Sequence, residues 1–105
     1  MTKLFNELKE GDTFYVLDVN ELEVKEYIFV ELYLFGKMFW IILTTKRQFK
    51  LKIDPLTVGK SEIKTKEDYF YLFTSKKDAL AKRKELIWEK IGELKKEIQK
   101  LQEKL

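Results

Sequence analysis

The residues best suited to acid–base chemistry are Asp54, Glu62, Glu67 and Asp68, which share one segment, 54–68. Paired carboxylates act as general acid and base when their surroundings push their pKa values apart. This segment is polar and holds the only Pro, so the four read as turn formers and solvated side chains. "DVNELE", Asp18 to Glu23, begins like a calcium loop with Asp18 and Asn20. Leu22 then stands where a ligand is needed and the required Gly is missing. "VGKS", Val58 to Ser61, looks like the end of a phosphate-binding loop, but Asp54 occupies the place of its first Gly. The chain has no Cys and no His. Thiolate chemistry, disulfides and imidazole are therefore absent, and the Ser and Thr hydroxyls lack a histidine base. No catalytic residue, metal ligand or cofactor site is assigned.

What remains is chemistry of contact. "TTKRQFKLK" sets Lys46, Arg47, Lys50 and Lys52 around one strand. Phe29, Tyr33, Phe35 and Trp40 could form an exposed aromatic face beside it. Cations next to stacking rings are what a single-stranded nucleic acid needs. Against this, aromatic residues in strands are most often packing, and the charge excess is small. Residues 76–105 carry ten basic and six acidic residues (+4), residues 1–75 eleven and twelve (−1), which sum to the net +3. "KRK", Lys82 to Lys84, lies in a stretch with Glu85, Glu89, Glu93 and Glu97 at helical spacing, the pattern of a solvated helix face. Nucleic-acid binding is thus the alternative reading.

The leading reading comes from a heptad. Leu80, Ile87, Ile91, Leu94, Ile98, Leu101 and Leu105 form one stripe, with Lys84 at one seam position. With Ile91 and Ile98 at a, Leu94 and Leu101 fall at d, the pattern of a two-stranded coil. A parallel homodimer would set Lys90 at g against Lys95 at e, a like-charge contact, so an antiparallel or higher-order arrangement stays open. The competing expectation is a helix packed on its own sheet through Leu80, Ile87 and Trp88.

The elements that must carry these residues follow from period. "YIFVELYLFGKMFWIILTT", Tyr27 to Thr45, contains only Glu31 and Lys37 as charges. A membrane helix needs about 20 apolar residues and tolerates central charge poorly. Here Gly36-Lys37 sits mid-stretch, and the residues are β-branched and aromatic. The stretch is expected to be a hairpin, strands 24–35 and 38–45, turning on Gly36 and Lys37. Phe35 would face Met38, with Ile28, Val30, Leu32, Leu34, Phe39, Ile41 and Leu43 toward the core. A helical turn at Leu4–Leu8 and strands over 12–19, 47–53, 61–64 and 69–74 complete the sheet. Ser75 with Asp78 then caps a helix of about 30 residues, about 45 Å long. The expected organisation is α+β, mainly β: a small SH3-like antiparallel β-barrel over 1–74, then one long C-terminal α-helix over 75–105. The N-terminal "MTKLFNELKEGD" lacks an apolar run of signal length, and a cytoplasmic location without membrane contact is expected.

"LKEGDTFYVLDV" and "YLFTSKKDALAKRKEL" resemble segments of short bacteriophage and mobile-element proteins. There a Gly-Asp pair opens the first strand of an SH3-like barrel, and an aromatic-(Thr/Ser)-x-x-acid-Ala pattern starts a long charged helix. In this chain Gly11-Asp12 and Ser75 with Asp78 carry the likeness. It implies a phage-type accessory protein, virion-associated or host-directed, that works by binding and supplies no catalytic residues. The expected function is a non-enzymatic module that forms homo-oligomers through its C-terminal helix.

Overall fold

The structure, a computed structural model, describes residues 2–105. A 3₁₀ turn at Phe5–Glu7 leads into β1 (Thr13–Asp18), β2 (Glu23–Phe35), β3 (Phe39–Thr44) and β4 (Gln48–Lys52). A second 3₁₀ turn at Thr57–Gly59 precedes β5 (Glu62–Lys64), β6 (Phe70–Phe73) and α1 (Lys76–Glu103). The architecture is α+β, mainly β. Six antiparallel strands run in the order β4-β3-β2-β1-β6-β5, with one helix after them. The two edges meet at a single bridge, Leu51 to Thr65, beside which the Lys66 N–H donates to the Lys50 carbonyl at 2.8 Å. The paired ladder does not continue round beyond that point.

The sheet curls around one core. Phe5, Phe14, Val16, Phe29, Ile42, Phe49, Leu51, Ile63 and Leu72 fill it, and Phe14 packs edge-on against Phe5 and Phe49. Truncating a ring such as Phe14 to Ala in such a core costs about 3–5 kcal/mol. The N-terminal turn closes one end. The Phe5 N–H donates to the Lys60 carbonyl at 2.8 Å, and the Thr74 hydroxyl donates to the Lys3 carbonyl at 2.6 Å.

The central hairpin departs from expectation by one residue. Gly36 takes the positive φ, 57°, that a Gly-led turn requires, and the Met38 N–H reaches the Phe35 carbonyl. Met38 itself is left out of the ladder, so Phe35 pairs with Phe39 and Leu34 with Trp40. A one-residue slip exchanges the faces of a strand. Trp40 and Ile42 therefore turn inward, while Phe39, Ile41 and Leu43 turn outward. A bulge at Val30 then reverses the parity of β2, which buries Phe29 and leaves Ile28 exposed. Of the row expected to face the core, Leu32 packs against the inner cluster; Phe39 and Ile41 are buried, as expected, but on the outer face, while Leu43 is half-buried and Ile28 exposed.

α1 starts as its sequence dictates. The Ser75 Oγ accepts from the Asp78 N–H, and acidic Asp78 sits in the first turn. The helix docks on the outside of β1 and β6. Ala79 is fully buried with Leu17 and Phe73, and Tyr15, Val24, Tyr71 and Leu86 pack around them. Leu80, Ile87 and Trp88 do not form this contact, and Trp88 is largely exposed. Lys82 lies 5.0 Å over the Tyr71 ring and 3.4 Å from Glu85 Oε1. Partial burial opposes its charge, but Glu85 and Tyr71 outweigh it and hold its pKa above the ordinary lysine value.

Candidate functional site

Two surfaces are left over once the core is filled. The first is on α1. An α-helix advances about 100° per residue. Ala79, Leu86 and the residues beside Leu22 in the groove, Lys90 and Glu93, form its docked side. Leu80, Ile87, Ile91, Leu94, Ile98, Leu101 and Leu105 form a second stripe, about a quarter turn round from the first. Leu80, Leu94, Ile98, Leu101 and Leu105 are exposed, while Ile87 and Ile91 are half-buried. The molecule is 57 Å long against 29 Å and 24 Å across, because the last turns of the helix run past the sheet. An apolar stripe of this length is more than scattered surface hydrophobes, which are ordinary.

The second surface is the outside of the other half of the sheet. The helix covers β1 and β6 but not the tip of β2, β3 and β4. There Phe35 stacks on Phe39 with ring centroids 5.3 Å apart. Lys50 and Lys66 place their ammonium groups 5.3 Å and 5.1 Å from the Phe39 centroid. Lys52 is the cross-strand partner of Phe39, and Tyr33 that of Ile41. Phe35 is 51% exposed and Met38 66%. Among the described residues none of Lys37, Lys50, Lys52 and Lys66 is in an ion pair.

The aromatic and basic sets expected from sequence are thereby divided. Phe29 and Trp40 belong to the core side; Tyr33 and Phe35 remain outside. Arg47 folds over the rings of Phe49 and Phe70, 4.7 Å and 4.8 Å from their centroids. The Lys46 N–H is tied to the Thr44 hydroxyl in the β3–β4 turn. Lys50 and Lys52 stay with Phe35 and gain Phe39 and Lys66 as companions. Sequence reasoning missed Lys66. Its place depends on the bridge to Leu51, and a polar connection gives no periodic sign of such a contact.

The other motifs resolve into turns. Asp18 Oδ1 accepts from the N–H groups of Asn20 and Glu21, and Asp54 Oδ1 from that of Leu56. Among the described residues no group of His, Cys, Asp and Glu is arranged to hold a metal ion, and no helix is long and apolar enough to cross a membrane. Comparison with known protein families, with curated proteins and with solved structures finds no match to this chain.

Proposed function

We propose that the protein is a non-enzymatic interaction module that self-associates through the stripe on α1, and that it serves as a phage-type accessory protein, virion-associated or host-directed, in the cytoplasm. The observation that carries the first part is the angular separation of the two apolar stripes. Docking on the sheet uses Ala79 and Leu86 and leaves Leu94, Ile98 and Leu101 exposed and Ile91 half-buried, a row available to a second copy. The accessory role and its setting rest on the resemblance of the two terminal segments. On the same reading the curled sheet is an SH3-like barrel whose edges touch at Leu51 and Thr65.

Charge favours an antiparallel pair of helices. With Ile91 opposite Leu94 of the second copy, Ile87 opposes Ile98, and Lys90 at g meets Glu97 at g twice over. Trp88 at e then lies beside Lys95, a cation–π contact in place of the repulsion between Lys90 and Lys95 in the parallel arrangement. The test is light scattering on a size-exclusion column. A dimer has twice the 12.7 kDa of one chain. Ile91→Asp with Ile98→Asp reduces it to the monomer while the strand signal in circular dichroism persists. A double variant with unchanged mass removes the proposal.

A further inference from the structure

We infer that the outer face of β2, β3 and β4 is a binding site for single-stranded nucleic acid, with bases stacking on Phe35 and Tyr33 and phosphates held by Lys37, Lys50, Lys52 and Lys66. This goes beyond self-association and does not depend on it. Three observations converge. The rings Phe35 and Phe39 are already stacked, 5.3 Å apart, and one side of Phe35 is open. A stacked aromatic pair on a sheet is a platform on which any base can continue the stack. Among the described residues the cations around it also form no ion pair, although Glu67 lines the same groove as Lys50. Lys50 and Lys66 close over Phe39 from two separate segments, joined by the hydrogen bond from the Lys66 N–H to the Lys50 carbonyl, and neither is spent on a carboxylate. Finally, the helix covers the outside of the sheet over β1, β6 and the start of β2 at Val24, and leaves the Phe35 end of β2 exposed.

The composition of the patch selects the ligand. Lys50 and Lys52 project two residues apart on one strand, about 6.6 Å along it, a row of charge rather than a single pocket. A row of cations beside flat rings matches a polymer that alternates phosphate and base. A lipid surface would ask for a larger apolar wedge than the Phe35 and Met38 tip supplies. On this face Glu31 is the acidic residue in the ladder, opposite Leu43 and away from the Phe35 end.

The test is fluorescence anisotropy of a labelled 20-nucleotide oligothymidylate titrated with the full chain between 50 mM and 300 mM salt. Binding should weaken with salt at a slope of about −0.7 per contacted phosphate, so about −3 for four lysines. Lys50→Gln with Lys66→Gln should lower affinity about tenfold and flatten the slope by about 1.4. Phe35→Ala should lower affinity at least about fivefold and leave the slope unchanged. If loss of the contacts to Phe39 unfolds the first variant, Lys37→Gln with Lys52→Gln carries the same test and keeps both ammonium groups over that ring. Absence of binding at 50 mM salt overturns the inference. So does binding that neither lysine pair alters, or tighter binding to vesicles of phosphatidylserine and phosphatidylcholine than to the oligonucleotide. The Ile91→Asp, Ile98→Asp variant should keep the same ranking of effects, which separates this face from the helical stripe.

Discussion

Arg83 Nε donates to the carbonyl oxygen of Leu22 at 2.6 Å, across 61 positions of sequence. Leu22 sits in the β1–β2 turn at φ 56°, a left-handed conformation that a branched side chain seldom adopts. The guanidinium thus fastens the helix to a strained turn, and the contact fixes the angle at which α1 leaves the sheet. Arg83→Ala should lower stability by about 1 kcal/mol, the size of a hydrogen bond to a charged donor at an exposed site, and Tm by about 5 °C. Arg83→Lys should recover part of it, because lysine keeps the charge and loses the directed N–H. Urea midpoints for the three proteins decide the matter, and equal midpoints would show that the contact holds nothing.

Thr65 is fully buried, and its Oγ1 has no hydrogen-bond partner among the described residues. A buried hydroxyl without a partner costs about 1–3 kcal/mol. Thr65→Val, which replaces that hydroxyl with a methyl group of similar size, should therefore raise stability by about 1 kcal/mol. A thermal melt that moves down instead would show that the hydroxyl is in use.

Helix orientation can be read by cross-linking, since the chain has no cysteine of its own. Ile87→Cys and Ile98→Cys, prepared separately, should stay thiols alone and form a disulfide dimer when mixed under oxidation. A parallel pair would do the reverse, each variant linking to itself. Glu97→Lys should weaken the dimer by bringing like charges together, and adding Lys90→Glu should restore it.

Asp12 gives the protein a pH dependence of known sign. The Lys9 N–H and then the Lys3 ammonium, at 2.9 Å and 3.3 Å, hold its carboxyl below the ordinary value. The folded state thus favours the ionised form. The contribution is complete above about pH 3.9 and disappears as pH falls through the lowered folded value. Asp12→Asn should be less stable than the parent at pH 7 and should lose less on going from pH 5 to pH 2. Parallel stability curves for the two proteins would contradict this.

How much of this was legible depends on parity and distance. β4 was plain, because Phe49 and Leu51 alternate with Gln48, Lys50 and Lys52. α1 and its Ser75 cap were plain for a similar reason, a local pattern with a local partner. The hairpin was legible as a hairpin but not in register. Both faces of residues 27–45 are apolar, so alternation carries no sign of which face is inward. The looped-out Met38 and the bulge at Val30 were then free to set it. The docked side of α1 was hidden because Ala79 is small and Leu86 stands next to the stronger heptad residue Ile87. The patch around Phe39 needed both the slip and the long-range bridge at Thr65.

That bridge has a consequence for how the chain behaves at high concentration. A free strand edge is a template on which another molecule can add its own strand, and long aromatic strands such as β2 invite it. In this fold β2 and β3 lie in the interior of the sheet, β5 is only three residues long, and Thr65 and Lys66 occupy the outer edge of β4 at Leu51 and Lys50. The β4 rim is thus partly occupied by a piece of the same chain, and the β5 rim is too short to offer much of a template. Growth into fibrils is thereby discouraged, and contacts between copies are directed to side chains rather than to the backbone.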